Sequence, residues 1–412
     1  MIDIGAFLRP GDGVWWGQGS AEPQPLVDGL LDVVDRVGPI RAFCGLTWNE
    51  RISRDLPASM TVLSYGGLGQ LRQLSRRGLL EVLPCHYSAL PRMFARGQLP
   101  SDVGLLQVSP PDDQGLVTLG IGVEYVADAV PHTRTLIAEV NARMPATIGG
   151  PRLPLSAFAA VVETDRPLVE GPQRPPDAVE LRIAEHVAAQ IEDGDTLQIG
   201  VGSLPAAVLD ALAGHQHLGF HSGMLTDDVL TLVEKGVITG SRKEIDPGLV
   251  VTGAALGTAA GYARLAEFPV RFRAASYTHA PEVLSQLRSL VSVNSAIEVD
   301  LRGQVGSELA RGVHIGAVGG QVDFSRAASL TGARSIIALR STVGSGDRES
   351  STIVPRLRGV VTTTRADVDA VVTEHGTAVL TGCTVTERAR RLIEIAAPHH
   401  REALQRSLAE EN

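Results

Sequence analysis

Three glycine-rich strings hold the residue types from which a ligand site could be built. The first is Gly200-Val201-Gly202-Ser203-Leu204-Pro205. It has the composition of a strand-to-helix turn. Glycine lets the backbone approach a ligand closely, and a helix start offers unpaired N–H donors to an anion. Taken alone it reads equally well as a simple turn. It is a poor dinucleotide fingerprint, because Pro205 stands where that motif requires glycine. The second string runs His314-Ile315-Gly316-Ala317-Val318-Gly319-Gly320-Gln321-Val322-Asp323-Phe324. Its adjacent glycines leave amides uncovered, and Gln321 and Asp323 supply a polar handle. Such a loop could donate hydrogen bonds to a ligand oxygen, or it is a tight turn. The third, Ser341-Thr342-Val343-Gly344-Ser345-Gly346, follows an apolar run and is either another ligand loop or a flexible turn.

Other chemistries find less support. The chain has no G-x-S-x-G elbow, no H-E-x-x-H and no Walker A lysine loop. None of its 11 histidines has a metal-ligand spacing with cysteine or carboxylate partners, so no metal is expected. The pairs His215/His217 and His399/His400 read as solvent-facing. Cys44, Cys85 and Cys383 are far apart and odd in number, which argues against a disulfide framework. The net charge of −9 carries no Lys/Arg-rich block, so nucleic acid is not an expected partner. No apolar run approaches a membrane span, and the start of the chain lacks a signal-peptide pattern. The expectation is a cytoplasmic protein with no membrane partner.

These strings need elements to position them. The pattern G-D-x-x-x-x-G-x-G-S occurs twice, over residues 11–20 and again over 194–203. Each copy is soon followed by a proline, Pro23 or Pro205, and then by apolar residues at helical spacing: Leu26, Val27, Leu30, Leu31 and Val34, or Val208, Leu209 and Leu212. A short buried strand, a glycine turn and a helix are implied in both, and with them a duplication. Between the copies, Pro167, Pro172, Pro175 and Pro176 exclude helix and interior strand. The domains are therefore placed at 1–165 and 179–412, with a Pro-rich linker at 166–178. Short apolar runs at 105–108, 135–140, 249–251, 290–293 and 335–339 alternate with helical spacing, which favours parallel sheets with crossover helices. Thr384 and Glu387 form a capping box that opens a C-terminal helix.

Taken together, an ordered set of strings resembles the acetyl-CoA hydrolase/transferase family, which includes 4-hydroxybutyrate and acetate CoA-transferases. In the first half the set is Gly17-Gln18-Gly19-Ser20-Ala21-Glu22-Pro23, Gln107-Val108-Ser109-Pro110-Pro111-Asp112, and Glu139-Val140-Asn141 with Met144-Pro145. In the second half it is the 200–205 loop, Asn294-Ser295-Ala296-Ile297-Glu298-Val299-Asp300-Leu301 with Gly303-Gln304-Val305, the 316–324 string, Ile353-Val354-Pro355, and Thr362-Thr363-Thr364-Arg365-Ala366-Asp367-Val368. The resemblance implies an α/β fold of two tandem CoA-transferase-like domains with mainly parallel sheets. It implies an active site between the domains and a homodimer. It also places Gly200, Gly202, Ser203, Pro205, Gly319, Gly320 and Gln321 against an acyl-CoA, with coenzyme A carried as the substrate thioester. Family transferases use a glutamate that attacks the acyl-CoA carbonyl, and CoA then returns to form a glutamyl thioester.

Here the chain departs from the family. The family glutamate lies in a string like H-T-E-M, and this sequence reads His221-Ser222-Gly223-Met224. Glycine cannot be that nucleophile. One account is chemistry without a covalent carboxylate: the cleared volume admits water, an alcohol or an amine beside an already activated thioester, giving hydrolysis or acyl transfer. A second keeps transfer to a carboxylate through a substitute nucleophile, with Glu22, Ser222 and Asp227 as candidates and His221 as a base. A third is a non-catalytic CoA binder or partner subunit. The first is preferred, with Glu22, His221 and Ser222 as candidate catalytic groups and Gly223 lining the substrate.

Overall fold

The two echoed strings form the middles of two separate sheets. A computed structural model describes residues 2–410. In the first half, β1 (Gly13–Trp16), β2 (Ile40–Phe43), β3 (Met60–Ser64), β4 (Leu80–Val82), β5 (Val103–Val108), β6 (Thr135–Asn141) and β7 (Ala160–Thr164) stack in the order β4-β3-β2-β1-β5-β6-β7. Neighbours run parallel throughout. In the second half, β8 (Thr196–Ile199), β9 (Gly219–His221), β10 (Val250–Thr252), β11 (Val270–Phe272), β12 (Leu290–Ser295), β13 (Arg334–Ala338), β14 (Ala370–Thr373) and β15 (Gly376–Val379) stack as β11-β10-β9-β8-β12-β13-β14-β15. Only the added edge strand β15 is antiparallel. The first strand of each half is central, the next three fan to one side, and later strands fill the other. This shared order gives the sequence echo a structural counterpart.

β1 has no exposed residue because it is flanked by strands and covered on both faces. Its alternation sends Trp15 into one apolar cluster and Trp16 into another. The cluster around Trp15 continues without a break into the second half, through Leu197, Phe220 and Val250. The halves therefore share apolar packing as well as a boundary.

Helix α1 (Gln24–Val37) buries Leu26, Val27, Leu30, Leu31 and Val34, the positions that the 3.6-residue period marks. Pro25 sits in its first turn, where no N–H is needed, and Gly38 ends it at φ +120°. Helix α2 (Glu124–Ala129) follows on the same half. α3 (Ala178–Ala188) opens with an Asp177/Glu180 capping box. α4 (Ser203–Ala211) starts directly at the second glycine turn, α5 (Gln321–Thr331) at Gly320, and α6 (Val385–Glu394) opens with the Thr384/Glu387 box read from sequence. Among the described residues, no helix is long and apolar enough to cross a membrane.

Residues 165–177 have no regular secondary structure. They are nonetheless fastened to the body. Arg166 pairs with the buried Glu139 at 2.6 Å and donates to the Glu22 carbonyl at 2.9 Å.

Candidate active site

Both sheets point the carboxyl ends of their strands at one cavity of about 720 Å³. In open α/β sheets ligands bind outside those ends. From the first half the lining comes from Gln18, Gly19 and Ser20 after β1, Leu46 and Trp48 after β2, Tyr65 and Gly69 after β3, and Glu124 at the start of α2. From the second half it comes from Gly200, Val201, Gly202, Ser203 and Pro205 after β8, Met224 and Thr226 after β9, and Ala254 after β10. The two echoed glycine turns thus face the same space. The proline-rich segment, including Gly171, Arg174 and Pro176, forms a wall of it.

The 200–205 loop is shaped for close approach. Gly202 has φ +124°, a conformation that favours glycine. A methyl group added at Gly200 would meet no atom within 4 Å. The emptiness lies on the cavity side, where α4 begins with first-turn amides that have no partner inside the helix.

Gly223 lies just beyond β9, with its carbonyl accepting from Gly253 N at 3.1 Å and Ala254 N at 3.0 Å. The volume beside it is not cleared, which corrects the expectation from sequence. A Cβ at residue 223 would come within 2.9 Å of Cε1 of His279 and 3.1 Å of its Nε2. A Cβ at Gly320 would fall 2.5 Å from the same Nε2. The His279 ring is thus wedged between Gly223 and Gly320. It is held there by the Tyr87 ring at 4.6 Å, the Phe324 ring at 5.0 Å and a 2.8 Å hydrogen bond shared with Thr278. Burial, and then His221, lower its pKa to about 3.

The candidate catalytic groups named from sequence fall into different surroundings. Glu22 is fully buried and does not line the cavity. One carboxylate oxygen accepts from Thr47 Oγ1 and Trp16 Nε1, the other from the amides of Trp48 (3.0 Å) and Asn49 (3.2 Å). Burial raises its pKa to about 7. Its partners show what it does: it fastens the turn after β2. His221 is buried, donates from Nε2 to the Thr278 carbonyl at 3.2 Å, and has its pKa lowered to about 4 by burial and then Lys243. The Ser222 hydroxyl points inward to the Ile199 carbonyl at 3.1 Å. Asp227 reaches the cavity edge, where its carboxylate accepts from Thr258 N and Oγ1.

The 319–321 string stands behind His279 and is absent from the cavity wall. It docks on the first half. Gly319 accepts from Tyr87 N at 2.9 Å, and Asp323 accepts from Ser88 N (3.1 Å) and Ser88 Oγ (2.6 Å). Gln321 donates to Thr363 at 3.0 Å. The 341–346 string forms a small exposed hairpin, with Thr342 and Val343 paired to Ser351 and Ser350. His399 and His400 meet Glu349 there, and their ligand atoms lie within 4.8 Å of one another. The sequence spacing gave no hint of that carboxylate.

One cavity group went unseen in the sequence. Glu124 Oε2 accepts from Gln18 Nε2 at 2.6 Å and Tyr87 OH at 2.6 Å, and Tyr65 OH donates to Gln18 Oε1 at 2.7 Å. Glu124 Oε1 has no partner. Burial raises the Glu124 pKa to about 7, against the lowering effect of its two hydrogen bonds. No spacing could have signalled this group, because Gln18, Tyr65, Tyr87 and Glu124 come from four separate segments of the chain.

Comparison with known proteins agrees with this architecture. Residues 6–170 match the acetyl-CoA hydrolase/transferase N-terminal domain, and residues 257–408 the corresponding C-terminal domain. The 4-hydroxybutyrate coenzyme A transferase of Clostridium kluyveri is 41% identical over 340 residues, covering 82% of this chain and 79% of that protein. The succinyl-CoA:acetate/propanoyl-CoA:succinate CoA transferase of Fasciola hepatica is 35% identical over 410 residues, covering 97% and 85%. The crystal structure of RipA from Yersinia pestis superposes with a TM-score of 0.91 at 31% identity, covering 99% of this chain and 96% of that one. The chain belongs to the acetyl-CoA hydrolase/transferase family and is an enzyme of the acyl-CoA transferase or hydrolase class.

Proposed function

We propose that the protein passes the acyl group of an acyl-CoA thioester directly to water, an alcohol or an amine, with no glutamyl–CoA intermediate. The observation that carries this reading is the seat of His279. Its ring occupies the place where a side chain at residue 223 would begin, so the site is packed for glycine and against a glutamate. The substitute-nucleophile route gains nothing from Glu22 or Ser222. The first holds four donors outside the cavity, and the second is turned to a strand carbonyl.

In this reading the pantetheine arm lies along the 200–205 loop, and Gly200 leaves room for the thioester. The first amides of α4 stabilise the oxygen as charge develops on it. Arg72 and Arg174, both in the cavity wall, offer charge to CoA phosphates. The acceptor's oxygen or nitrogen bonds to the acyl carbon, the C–S bond breaks, and the acceptor's proton ends on the CoA thiol.

The test is thiol release from acetyl-, propanoyl-, butyryl-, succinyl- and 4-hydroxybutyryl-CoA, alone and with alcohol, amine or carboxylate acceptors. Release without any carboxylate is the expected result. Release that demands a carboxylate and returns CoA as its thioester would overturn the reading, and a protein that binds these thioesters but never releases thiol would be a binder only.

A further inference from the structure

Buried carboxylates in a folded protein normally have every oxygen paired, since an unpaired one loses its hydration without compensation. The interior acids of this chain mostly obey. Glu22 takes four donors, Glu139 is paired with Arg166, and Asp323 is capped by Ser88. Among the described residues, Glu124 Oε1 is the one buried carboxylate oxygen with no hydrogen-bond partner. It belongs to a residue in the wall of the large cavity.

The geometry around it is one-sided. Gln18 and Tyr87 both donate to Oε2, which fixes the carboxyl plane and leaves Oε1 as the free basic oxygen. The residue is also next to the vacated nucleophile position. The Glu124 amide donates to the Gly253 carbonyl at 3.1 Å, and the Gly253 amide donates to the Gly223 carbonyl at 3.1 Å. Tyr87, which holds Glu124, packs its ring at a tilt against the His279 ring that covers Gly223. Helix α2 thus brings a residue with a carboxyl from the first half to within one backbone link of Gly223 on the second.

We propose that Glu124 is the general base of the acyl transfer, a role that rests on the direct-transfer reading above. Oε1 takes the proton of the acceptor's O–H or N–H as that atom bonds to the thioester carbon. The C–S bond then breaks, and the proton passes from the Glu124 carboxylic acid to the departing CoA sulfur. The residue ends each turnover ionised, as it began. A nucleophilic role fits the site less well, because Oε1 exposes less than 1 Å². Proton transfer likewise needs the acceptor within hydrogen-bond distance of Oε1, so the proposal requires the cavity wall beside Oε1 to open when the thioester and acceptor bind.

The groups around Glu124 leave its titration uncrowded. Tyr65, Tyr87 and Tyr125 have pKa values raised well above the usual tyrosine range, by burial first. His279 remains neutral down to about pH 3. Near neutrality none of these carries charge, but the Glu22 carboxyl outside the cavity is also raised to about 7, so the limb is assigned to Glu124 by its loss in Glu124→Gln.

The experiment measures thiol release from the same five acyl-CoAs against pH, using the full chain, Glu124→Gln and Tyr87→Phe. The wild-type rate rises with pH and levels above about 7. Glu124→Gln loses roughly 10²–10⁴-fold in kcat and loses the limb, with KM little changed. Tyr87→Phe lowers the rate at neutral pH and moves the limb to higher pH, because one hydrogen bond to the ionised form is gone, and the rate recovers as pH rises; a misfolded variant would not show an ordered shift with recovery. An active wild type whose limb survives in Glu124→Gln overturns the base and leaves direct transfer standing. An acyl or CoA adduct on Glu124 overturns both, and so does a wild type that releases no thiol.

Discussion

His279 and Gly223 set each other's size. The imidazole lies where a Cβ at residue 223 would project, and Tyr87 and Phe324 leave the ring little room to withdraw. Gly223→Ala should therefore destabilise the fold by about 1–3 kcal/mol through overpacking. Gly223→Glu should do so at least as strongly. Adding His279→Ala makes the room, so a double-mutant cycle by denaturant melts should show the pair to be non-additive by about 1 kcal/mol or more. Additive effects would mean that the ring does not occupy that space. His279 also carries a pH signature. Its folded pKa is about 3 against an ordinary value of 6.5. Between those values the unfolded chain binds the extra proton, so this contribution to stability is lost as pH falls from about 6.5 towards 3. His279→Asn should lose less stability than wild type between pH 6.5 and pH 4.5, measured as the difference in Tm between the two proteins. At this scale the sequence revealed only part of the site. Gly223 was visible because it broke a familiar string. The imidazole packed against it and the carboxyl near it were not, since Gly223, His279 and Glu124 meet only through the tertiary fold. Glu22 shows the same limit from the other side: a carboxylate in a resembling string has the right type, but the four donors around it become visible only when the turn after β2 is built.

The elements were more legible than the side chains. Local signals agreed with one another at the second glycine turn: a buried apolar run, then Gly200 and Gly202, then a helix with Pro205 in its first turn. The structure places β8 and α4 there and opens the turn onto the cavity. The 319–321 string gave an equally clear turn signal, yet it docks against the first half behind His279. A turn signal states a backbone conformation and says nothing about which surface will cover it. The two loops therefore differ in what substitution should do. Gly200→Leu adds a side chain whose Cβ meets nothing within 4 Å, so stability should stay within about 0.5 kcal/mol while acyl-CoA affinity falls at least about tenfold, as read by calorimetry. Gly320→Leu drives the same side chain into His279 and should destabilise the protein first.

At the scale of the whole molecule, the repeat was readable because both halves use the same turn at the same sheet position. The sheets then proved to share the order of their first seven strands. What the sequence could not show is how the halves face one another. That is settled by contacts between distant residues: Ser88 with Asp323 and Tyr262 with Ser20. The proline-rich segment is fastened to the first half by Arg166, which sits between the Glu22 carbonyl and Glu139, and Glu139 is completely buried. Arg166→Ala leaves that acid without its cation and should cost about 3–5 kcal/mol in denaturant unfolding. A loss under 1 kcal/mol would show that the proline-rich segment is held by other means. The central claim, that acyl groups leave CoA in this cavity without becoming attached to the chain, is tested most directly by intact-mass spectrometry of protein quenched during turnover with acyl-CoA. The predicted spectrum holds only the unmodified mass while free thiol accumulates. A stoichiometric acyl or CoA adduct on the native chain would contradict the account.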